Sequence, residues 1–233
     1  MKNKIFKINF FYFFYKILKI LRNKKPSFHY GEFAEDIFVD RIFKSIKNGI
    51  YVDVGCYHPF KGSLTLKLYQ RNWHGINLDI SKTSIDLFNI SRKRDINLNL
   101  AVTDFDGEVF FYENSPINQQ NSLIKSNDQQ KKIKIKCNTL SNILINKNIN
   151  EFDYLNVDVE GAELNVIKGI NFEIFKPKLI SIENNNLSIV DYLDSEIYKI
   201  LINNNYIFIN RIGVTNFFLS KDLALKFSDL IRI

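Results

Sequence analysis

The segment Tyr51-Val-Asp-Val-Gly-Cys56 decides the fold of this 233-residue sequence. Its apolar, β-branched residues are typical of a buried strand, and Gly55 begins a loop that leads towards a helical stretch. In α/β proteins such a loop lets a ligand approach the backbone where a helix N-terminus favours polar groups. We therefore predict a cofactor site around this segment, with Asp53, Gly55 and Cys56 as members.

The residues beyond Gly55 argue against a dinucleotide site. They read Cys-Tyr-His-Pro-Phe-Lys-Gly and lack the G-x-G-x-x-G spacing of a pyrophosphate-binding loop. Asp79 follows Gly55 by 24 residues, near the distance at which an acid can accept hydrogen bonds from a ribose diol. Nicotinamide-binding and methyl-donor folds share this spacing, and an aspartate can also simply end a strand at a turn. The spacing alone therefore leaves the cofactor open.

The chain beyond Pro26 alternates short β-like runs with helical stretches, a pattern typical of a parallel sheet covered by helices. The predicted strands occupy residues 49–55, 74–80, 96–103, 152–159, 178–183, 206–211 and 215–220. The predicted helices occupy residues 32–47, 63–71, 83–94, 140–145, 162–168 and 189–203. The fold class is therefore α/β.

The end of the sheet and one insertion refine this prediction. Only three residues separate the last two strands, too few for a crossover helix, so we predict an antiparallel hairpin at the sheet edge. Two further strands, residues 108–112 and 132–137, are predicted between the third and fourth core strands. The polar residues 113–130 between them can be a solvated connection or a lid over the substrate, and we favour the lid.

Charge is distributed unevenly along the chain. The net charge is +7, but eight of the 32 basic residues and none of the 25 acidic residues lie in residues 1–25. The remainder carries 24 basic and 25 acidic residues. Because phosphate neutralisation dominates nucleic-acid affinity, this balance argues against a DNA or RNA partner.

We predict one domain, residues 26–233, preceded by a separate segment, residues 1–25.

The N-terminal segment, residues 1–25, has a basic, amphipathic helical pattern. Lysines interrupt its apolar run, and no cleavage site follows, so it is neither a convincing membrane span nor a signal peptide. It can rest on an anionic membrane surface or pack on its own domain or a second subunit.

The two cysteines form no metal or disulfide pattern. We expect a cytoplasmic protein, with possible peripheral contact at the inner membrane face.

Four stretches of the sequence resemble FkbM-like methyltransferases. These are residues 51–59 with 63–79, the Asp-Val-Glu-Gly-Ala-Glu block in residues 153–164, the strand in residues 176–183, and the acidic motif in residues 31–36. The resemblance implies a Rossmann-like methyltransferase fold and S-adenosylmethionine as methyl donor. It also implies O-methylation of a sugar or glycan precursor, as in surface polysaccharide biosynthesis.

The resemblance also suggests which residues bind the cofactor. It adds Glu35, Ser63 and Asp79 to Asp53, Gly55 and Cys56 as candidate cofactor-binding residues. The sequence departs from the family pattern at three places: Cys56 replaces a common alanine, Ala34 a usual glycine, and Leu64 a usual asparagine. Leu64 removes a polar group close to the cofactor loop.

Candidate catalytic residues follow the fourth predicted strand. Asp158 and Glu160 are two residues apart at its carboxyl end and are expected to point to the same side. Three roles remain open for them: general base, metal ligand and capping of the following helix. His58 has an ordinary pKa suited to a base. Glu183 ends the next strand and could join Asp158 around a divalent cation.

Two other functions compete with methyl transfer. A nicotinamide-dependent sugar oxidoreductase is opposed by the absent dinucleotide fingerprint. A non-catalytic scaffold on the membrane is opposed by the retained Asp53, Asp79 and Asp158. The resemblance implies a small sugar or glycan as partner, and the sequence makes no prediction of the oligomeric state.

Overall fold

The computed structural model describes residues 28–113, 122–123, 131–185 and 187–226. The predicted N-terminal helix, residues 1–25, lies outside the described residues, as does most of the loop predicted for residues 113–130. Among the described helices, none is both long and apolar enough to cross a membrane.

Ten strands and eight helices are found in the described residues. The strands are β1 (Ile50–Val54), β2 (His74–Asp79), β3 (Ile96–Asn99), β4 (Ala101–Thr103), β5 (Gly107–Glu113), β6 (Lys131–Thr139), β7 (Tyr154–Val157), β8 (Leu179–Glu183), β9 (Tyr206–Ile212) and β10 (Thr215–Ser220). The helices are α1 (Glu35–Ile42), α2 (Leu66–Gln70), α3 (Lys82–Ser91), α4 (Leu140–Asn146), α5 (Glu163–Lys168), α6 (Ile189–Leu193), α7 (Glu196–Asn203) and α8 (Lys221–Lys226).

The main sheet has seven strands in the order β3-β2-β1-β7-β8-β10-β9. The first five are mutually parallel, and β10 runs antiparallel to both β8 and β9. This confirms the predicted mostly parallel sheet that ends in an antiparallel hairpin. The two inserted strands are also confirmed: β5 and β6 pair antiparallel in a small second sheet, with order β4-β6-β5.

Two predicted elements are divided in the structure. The strand predicted for residues 96–103 is β3 and β4, which belong to different sheets. Here the Asn99 amide donates to the carbonyl oxygens of Asp79 and Ile80, both at 2.9 Å, at the point where the chain leaves β2. The helix predicted for residues 189–203 is α6 and α7. Ser195 accepts a hydrogen bond from the Tyr198 backbone N–H and begins α7 as its N-cap. Helix α8 was not predicted.

The sheet is buried on both faces, and its alternating side chains therefore belong to two cores. Val52 and Val54 of β1 face the larger core together with residues of α4 and α5. Tyr51 faces the smaller core with Trp73 and Val39 of α1. Burying each large apolar side chain contributes about 1.5–3 kcal/mol, so both layers help to fix the register of β1.

The register brings four strand ends together. Val54 is paired with both Leu78 of β2 and Val157 of β7, and Val157 is paired with Ile182 of β8. The residues that follow them are Gly55, Asp79, Asp158 and Glu183. All four lie at the carboxyl edge of the parallel strands, where open α/β sheets bind ligands.

Candidate active site

The loops after β1 and β7 approach each other closely at Gly55. Its φ is +82°, and a Cβ built there would lie 1.6 Å from the carbonyl oxygen of Asp158. The backbone N–H groups of Gly55 and Cys56 donate to Leu78 O, and that of Asp158 donates to Val54 O. The sequence predicted a glycine for the approach of a ligand. The structure shows that the neighbouring backbone itself requires it.

A first space, here named the Asp79 cleft, opens beside Gly55. Polar groups on its wall come from Tyr57, Asp79, Asp158 and Glu160. Apolar side chains complete the wall: Val54, Leu78, Ile80, Leu100, Ala101, Val102, Leu123 and Val159. The cleft therefore combines an apolar lining with carboxylates, a mixture suited to an organic ligand with hydroxyl groups.

Asp79 joins the two loops that border this cleft. Its Oδ2 accepts a hydrogen bond from the Tyr57 backbone N–H at 2.8 Å, and its Oδ1 accepts one from Ser81 N–H at 2.7 Å. Loss of water around the carboxylate raises the pKa of Asp79 to about 6, against the opposing effect of these two hydrogen bonds. Each oxygen keeps acceptor capacity for a further donor.

Three predicted cofactor residues lie behind the cleft. Asp53 is buried and accepts hydrogen bonds from Asn156 Nδ2 and Thr65 Oγ1, both at 2.9 Å. Cys56 is packed with Ile85 and Phe88, and burial raises the pKa of its thiol. Ser63 is also buried. These side chains support the loop from behind, and their cofactor-binding role stays a prediction.

A second space, here named the acidic cavity, adjoins the Asp79 cleft and has a volume of about 280 Å³. The two spaces share Asp158 and Glu160. Glu35, predicted to bind the cofactor, lines the acidic cavity instead of the cleft. Its Oε2 accepts from Phe33 N–H at 2.8 Å, and Thr215 Oγ1 donates to its Oε1 at 3.4 Å. Its predicted role is therefore not supported by a position in the cleft.

Asp158, Glu160 and Glu183 form one carboxylate cluster. Each contributes an oxygen, and these oxygens lie within 4.8 Å of one another. Burial, followed by the hydrogen bond and charge of Glu183, raises the pKa of Asp158 well above its usual range. Burial, followed by the charges of Glu183 and Glu163, raises the pKa of Glu160 to about 7. At neutral pH the cluster can therefore accept or hold a proton.

The loop that carries this cluster, residues 158–162, is held in an unusual backbone conformation. Glu160 has a φ of +54°, which costs energy for any residue other than glycine. Glu163 Oε1 accepts from Gly161 N–H at 2.9 Å, and Ser122 Oγ donates to the Glu160 carbonyl at 2.8 Å. Glu163 thus stabilises the loop, as expected for an acid in the first turn of α5.

His58 lies in the loop after β1 and lines neither space. Its Nδ1 accepts hydrogen bonds from the backbone N–H groups of Phe60 and Lys61, both at 3.1 Å. Partial burial and the Lys61 charge lower the pKa of His58. The lone pair that a base requires is therefore engaged within the loop. A catalytic role for His58 stays a prediction without support from its contacts.

Two residues at this edge were missed by sequence reasoning. Tyr57 borders the cleft at a φ of +51°, a conformation that a tyrosine in a sequence does not signal. Asn156 lines the acidic cavity and holds Asp53. Its position two residues before Asp158 on β7 could have placed it on the same face as Asp158.

Comparison with known proteins gives one family match. The model of the methyltransferase FkbM domain matches residues 53–208, more than half of the chain. No curated protein matches the sequence.

Three solved structures are similar to this chain at low identity. A methyltransferase FkbM from Methylobacillus flagellatus KT is 14% identical with a TM-score of 0.49, and covers 74% of this chain. This chain spans 44% of the length of that protein. The methyltransferase domain of bacterial CtHen1-C is 14% identical with a TM-score of 0.40, over 80% of this chain and 96% of its own. A putative methylase from Haemophilus influenzae is 12% identical with a TM-score of 0.39, over 79% and 85%.

Proposed function

The chain belongs to the methyltransferase FkbM family. We propose that it is a methyltransferase and transfers a methyl group from S-adenosylmethionine to a hydroxyl of a sugar or glycan precursor. One observation carries the proposal: two spaces meet at a pair of carboxylates, Asp158 and Glu160. A methyl donor in one space and a hydroxyl acceptor in the other would meet beside a group able to take a proton.

The Asp79 cleft is the proposed donor site. Asp79 would accept hydrogen bonds from the ribose hydroxyls. The apolar side chains that would pack against the adenine are those of Leu78, Ile80, Leu100, Ala101 and Val102. Gly55 and Tyr57 would border the donor. The sulfonium supplies an already activated methyl group, so the protein's main task is alignment.

The acidic cavity is the proposed acceptor site. Its described lining includes no lysine, arginine or histidine, and its carboxylates favour an acceptor without negative charge beside the reacting hydroxyl. In the reaction the donor's carbon–sulfur bond breaks and a carbon–oxygen bond forms, while the hydroxyl proton passes to a carboxylate. Glu160, with a pKa of about 7, is suited to take it near neutral pH, and Asp158 could take it in its ionised form.

A second role for the cluster is also open. Carboxylate oxygens are the ligands that Mg²⁺ and Ca²⁺ prefer, and Asp158, Glu160 and Glu183 lie close enough to share one ion. Such an ion would acidify and orient the acceptor hydroxyl. Exhaustive chelation followed by an activity assay separates the two roles, since unchanged activity would exclude an essential, weakly bound cation.

Calorimetry provides the first test of the proposed function. Full-length protein is titrated with S-adenosylmethionine, with its demethylated product and with NAD. We expect binding of the first two and none of NAD. Tight binding of NAD alone would instead favour the sugar oxidoreductase, and binding of none of the three would favour the non-catalytic scaffold.

The acceptor requires a second experiment. The protein is incubated with labelled methyl donor and with neutral glycosides, glycan fragments or nucleotide sugars, and the methyl group is located by mass spectrometry. We expect label on a hydroxyl of an uncharged sugar unit. Label on nitrogen or carbon would refute O-methylation, and label only on nucleotide sugars would refute the proposed neutral acceptor.

The place of the protein in the cell is a separate proposal. The basic, amphipathic pattern of residues 1–25 suggests weak attachment to an anionic, inner membrane face. Co-sedimentation with anionic liposomes should be stronger for the full chain than for a chain lacking residues 1–25. Equal, negligible binding by both would refute membrane contact.

A further inference from the structure

Arg92 is a buried arginine that neither space touches. It directly follows α3, and only 1% of its surface is exposed. Its guanidinium lies 5.0 Å from the ring centroid of Tyr69 and 5.3 Å from that of Phe88. Burying a guanidinium away from water is costly unless its donors are satisfied. Its contacts therefore indicate what it stabilises.

The donors of Arg92 reach the loop after β1. Its Nη2 donates to the carbonyl oxygen of Pro59 at 2.7 Å and to Ser63 Oγ at 2.9 Å. Pro59 lies two residues after Tyr57, which borders the Asp79 cleft. One nitrogen thus ties together the middle and the end of residues 55–63, here named the β1 loop.

The other terminal nitrogen reaches the strand beneath. Arg92 Nη1 donates to the Tyr51 hydroxyl at 3.0 Å and to Thr65 Oγ1 at 3.3 Å. The Tyr51 hydroxyl donates to Asp95, and Thr65 Oγ1 donates to Asp53. Arg92 makes no direct ion pair within the described part of the chain. Asp95 and Asp53 instead balance its charge indirectly, through the two hydroxyl groups.

This arrangement also bears on Asp53, which directly precedes the Val54-Gly55 wall of the cleft. Burial raises the pKa of Asp53, while the hydrogen bonds from Asn156 and Thr65 and the charge of Arg92 oppose that rise. Arg92 therefore acts on the β1 loop in two ways, through the Pro59 carbonyl above the strand and through Asp53 within it.

We infer that Arg92 is a positioning residue that holds the β1 loop in the shape that binds the methyl donor, without contacting the donor itself. The inference rests on the proposed function, because it assumes that the Asp79 cleft is the donor site. A lysine keeps the positive charge but lacks the fork that reaches Pro59 and Tyr51 at once. The conservative variant therefore separates the effect of geometry from that of charge.

The test compares four full-length variants with the wild type. Arg92→Lys and Arg92→Met both remove the paired guanidinium nitrogens that reach Pro59 and Tyr51. Arg94→Met is the matched control, since exposed Arg94 stacks on the same Tyr69 ring at 3.9 Å and has no bond to the β1 loop. Leu144, a buried core residue of α4, lines neither space, and Leu144→Ala serves as a variant of lowered stability.

Donor affinity is measured by calorimetry with S-adenosylmethionine, and melting temperature is measured on the same samples. We expect Arg92→Lys to weaken donor binding about tenfold, the effect of losing one hydrogen bond to a charged group. Arg94→Met and Leu144→Ala should bind within about twofold of the wild type. Wild-type affinity in Arg92→Lys would overturn the inference. So would an equal loss in Leu144→Ala, because the effect would then be one of stability.

Hydrogen exchange of the β1 loop, measured without any ligand, separates this inference from the proposed function. The Tyr57 and Gly62 amides, which donate to Asp79 and to Tyr30 O, should exchange faster in Arg92→Lys than in the wild type. Unchanged exchange would refute the role of Arg92 even if the donor binds. Failure of the wild type to bind donor would refute the proposed function. Faster exchange of the β1 loop in Arg92→Lys would even then support the positioning role of Arg92. If neither Arg92 variant folds, Ser63→Ala removes one acceptor and is judged by the same two measurements.

Discussion

The two loops at the carboxyl edge of the sheet differ in how they are held. The β1 loop is fixed by backbone donors and by polar side chains around it, and the two acids that flank it, Asp53 on β1 and Asp79 on β2, each accept two hydrogen bonds. The loop of residues 158–162 instead brings carboxylates together and holds Glu160 at a positive φ. One loop is built for a defined shape, and the other tolerates strain and like charge. Under the proposed function, donor binding and proton transfer would belong to different loops.

The largest effect on stability is expected from a substitution that breaks the contact between the two loops. In Gly55→Ala the added Cβ would clash with the Asp158 carbonyl, and the positive φ adds strain. We expect a loss of about 3 kcal/mol or more in the free energy of unfolding, measured by urea denaturation.

Gly107→Ala is the control for this clash. Its φ is +156°, and the nearest heavy atoms to a built Cβ lie 3.7 Å away, so it tests conformation without a clash. We expect a cost of about 1 kcal/mol. An equal cost in the two variants would show that the approach of the loops is unimportant.

The next effect tests whether chemistry belongs to the loop of residues 158–162. Asp158→Ala should lower turnover by about 10²–10⁴-fold, the usual contribution of a general base, with donor affinity unchanged. Calorimetry and a labelled-methyl assay measure the two quantities. Glu173→Gln, an exposed acid away from both spaces, is the control and should match the wild type. Near wild-type turnover in Asp158→Ala would remove Asp158 from the mechanism.

A smaller effect concerns donor binding at Asp79, which accepts a hydrogen bond from Tyr57 of the β1 loop. The proposed ribose contact needs Asp79 ionised, and its pKa is about 6. Donor affinity should therefore be constant well above pH 6 and fall by up to about tenfold per unit below it. Calorimetry from pH 5 to pH 8 measures this.

Two variants identify the group that titrates. Asp79→Asn should bind weakly at every pH, with the dependence near pH 6 removed. Glu160→Gln should keep it, although Glu160 also lines the cleft. If the pH dependence of donor affinity disappears in Glu160→Gln, the titrating group is Glu160 and not Asp79, which would contradict the prediction.

The smallest effect concerns strain. Glu160→Gly should raise the free energy of unfolding by about 1 kcal/mol, because glycine adopts a positive φ at little cost. Turnover should fall because a carboxylate of the cluster is lost. Asn148→Gly, at a φ of +56° away from both spaces, should leave turnover unchanged. A Glu160→Gly variant that is both more stable and fully active would show that the strain at Glu160 has no functional reason.

Much of the fold could be predicted because its signals are local. Strands of the parallel sheet are short apolar runs, and their ends place Gly55, Asp79, Asp158 and Glu183 at one edge. At the division between β3 and β4, the Asn99 side chain turns back to bond two carbonyl groups that are distant in the sequence. No periodicity in the sequence reports such a contact.

The candidate site was predicted less completely, because sequence gives strand ends but not side-chain direction. Asp53, Ser63 and Cys56 were grouped with the cofactor, yet their side chains lie behind the cleft. Arg92 gave no signal, since a basic residue at the end of a helix is usually solvated near the dipole. Its burial follows from partners distant in the sequence, chiefly Pro59 and Ser63.

The small sheet has a consequence for how such enzymes can diversify. Strands β4, β5 and β6 have their own hydrogen-bond ladder, separate from the seven-stranded sheet, yet Ala101 and Val102 of β4 line the Asp79 cleft. Two residues of the connection between β5 and β6 also reach the site: Ser122 donates to the Glu160 carbonyl, and Leu123 lines the cleft. Substitutions in the small sheet can therefore alter the wall of the cleft without altering the hydrogen-bond ladder that aligns Gly55 with Asp158.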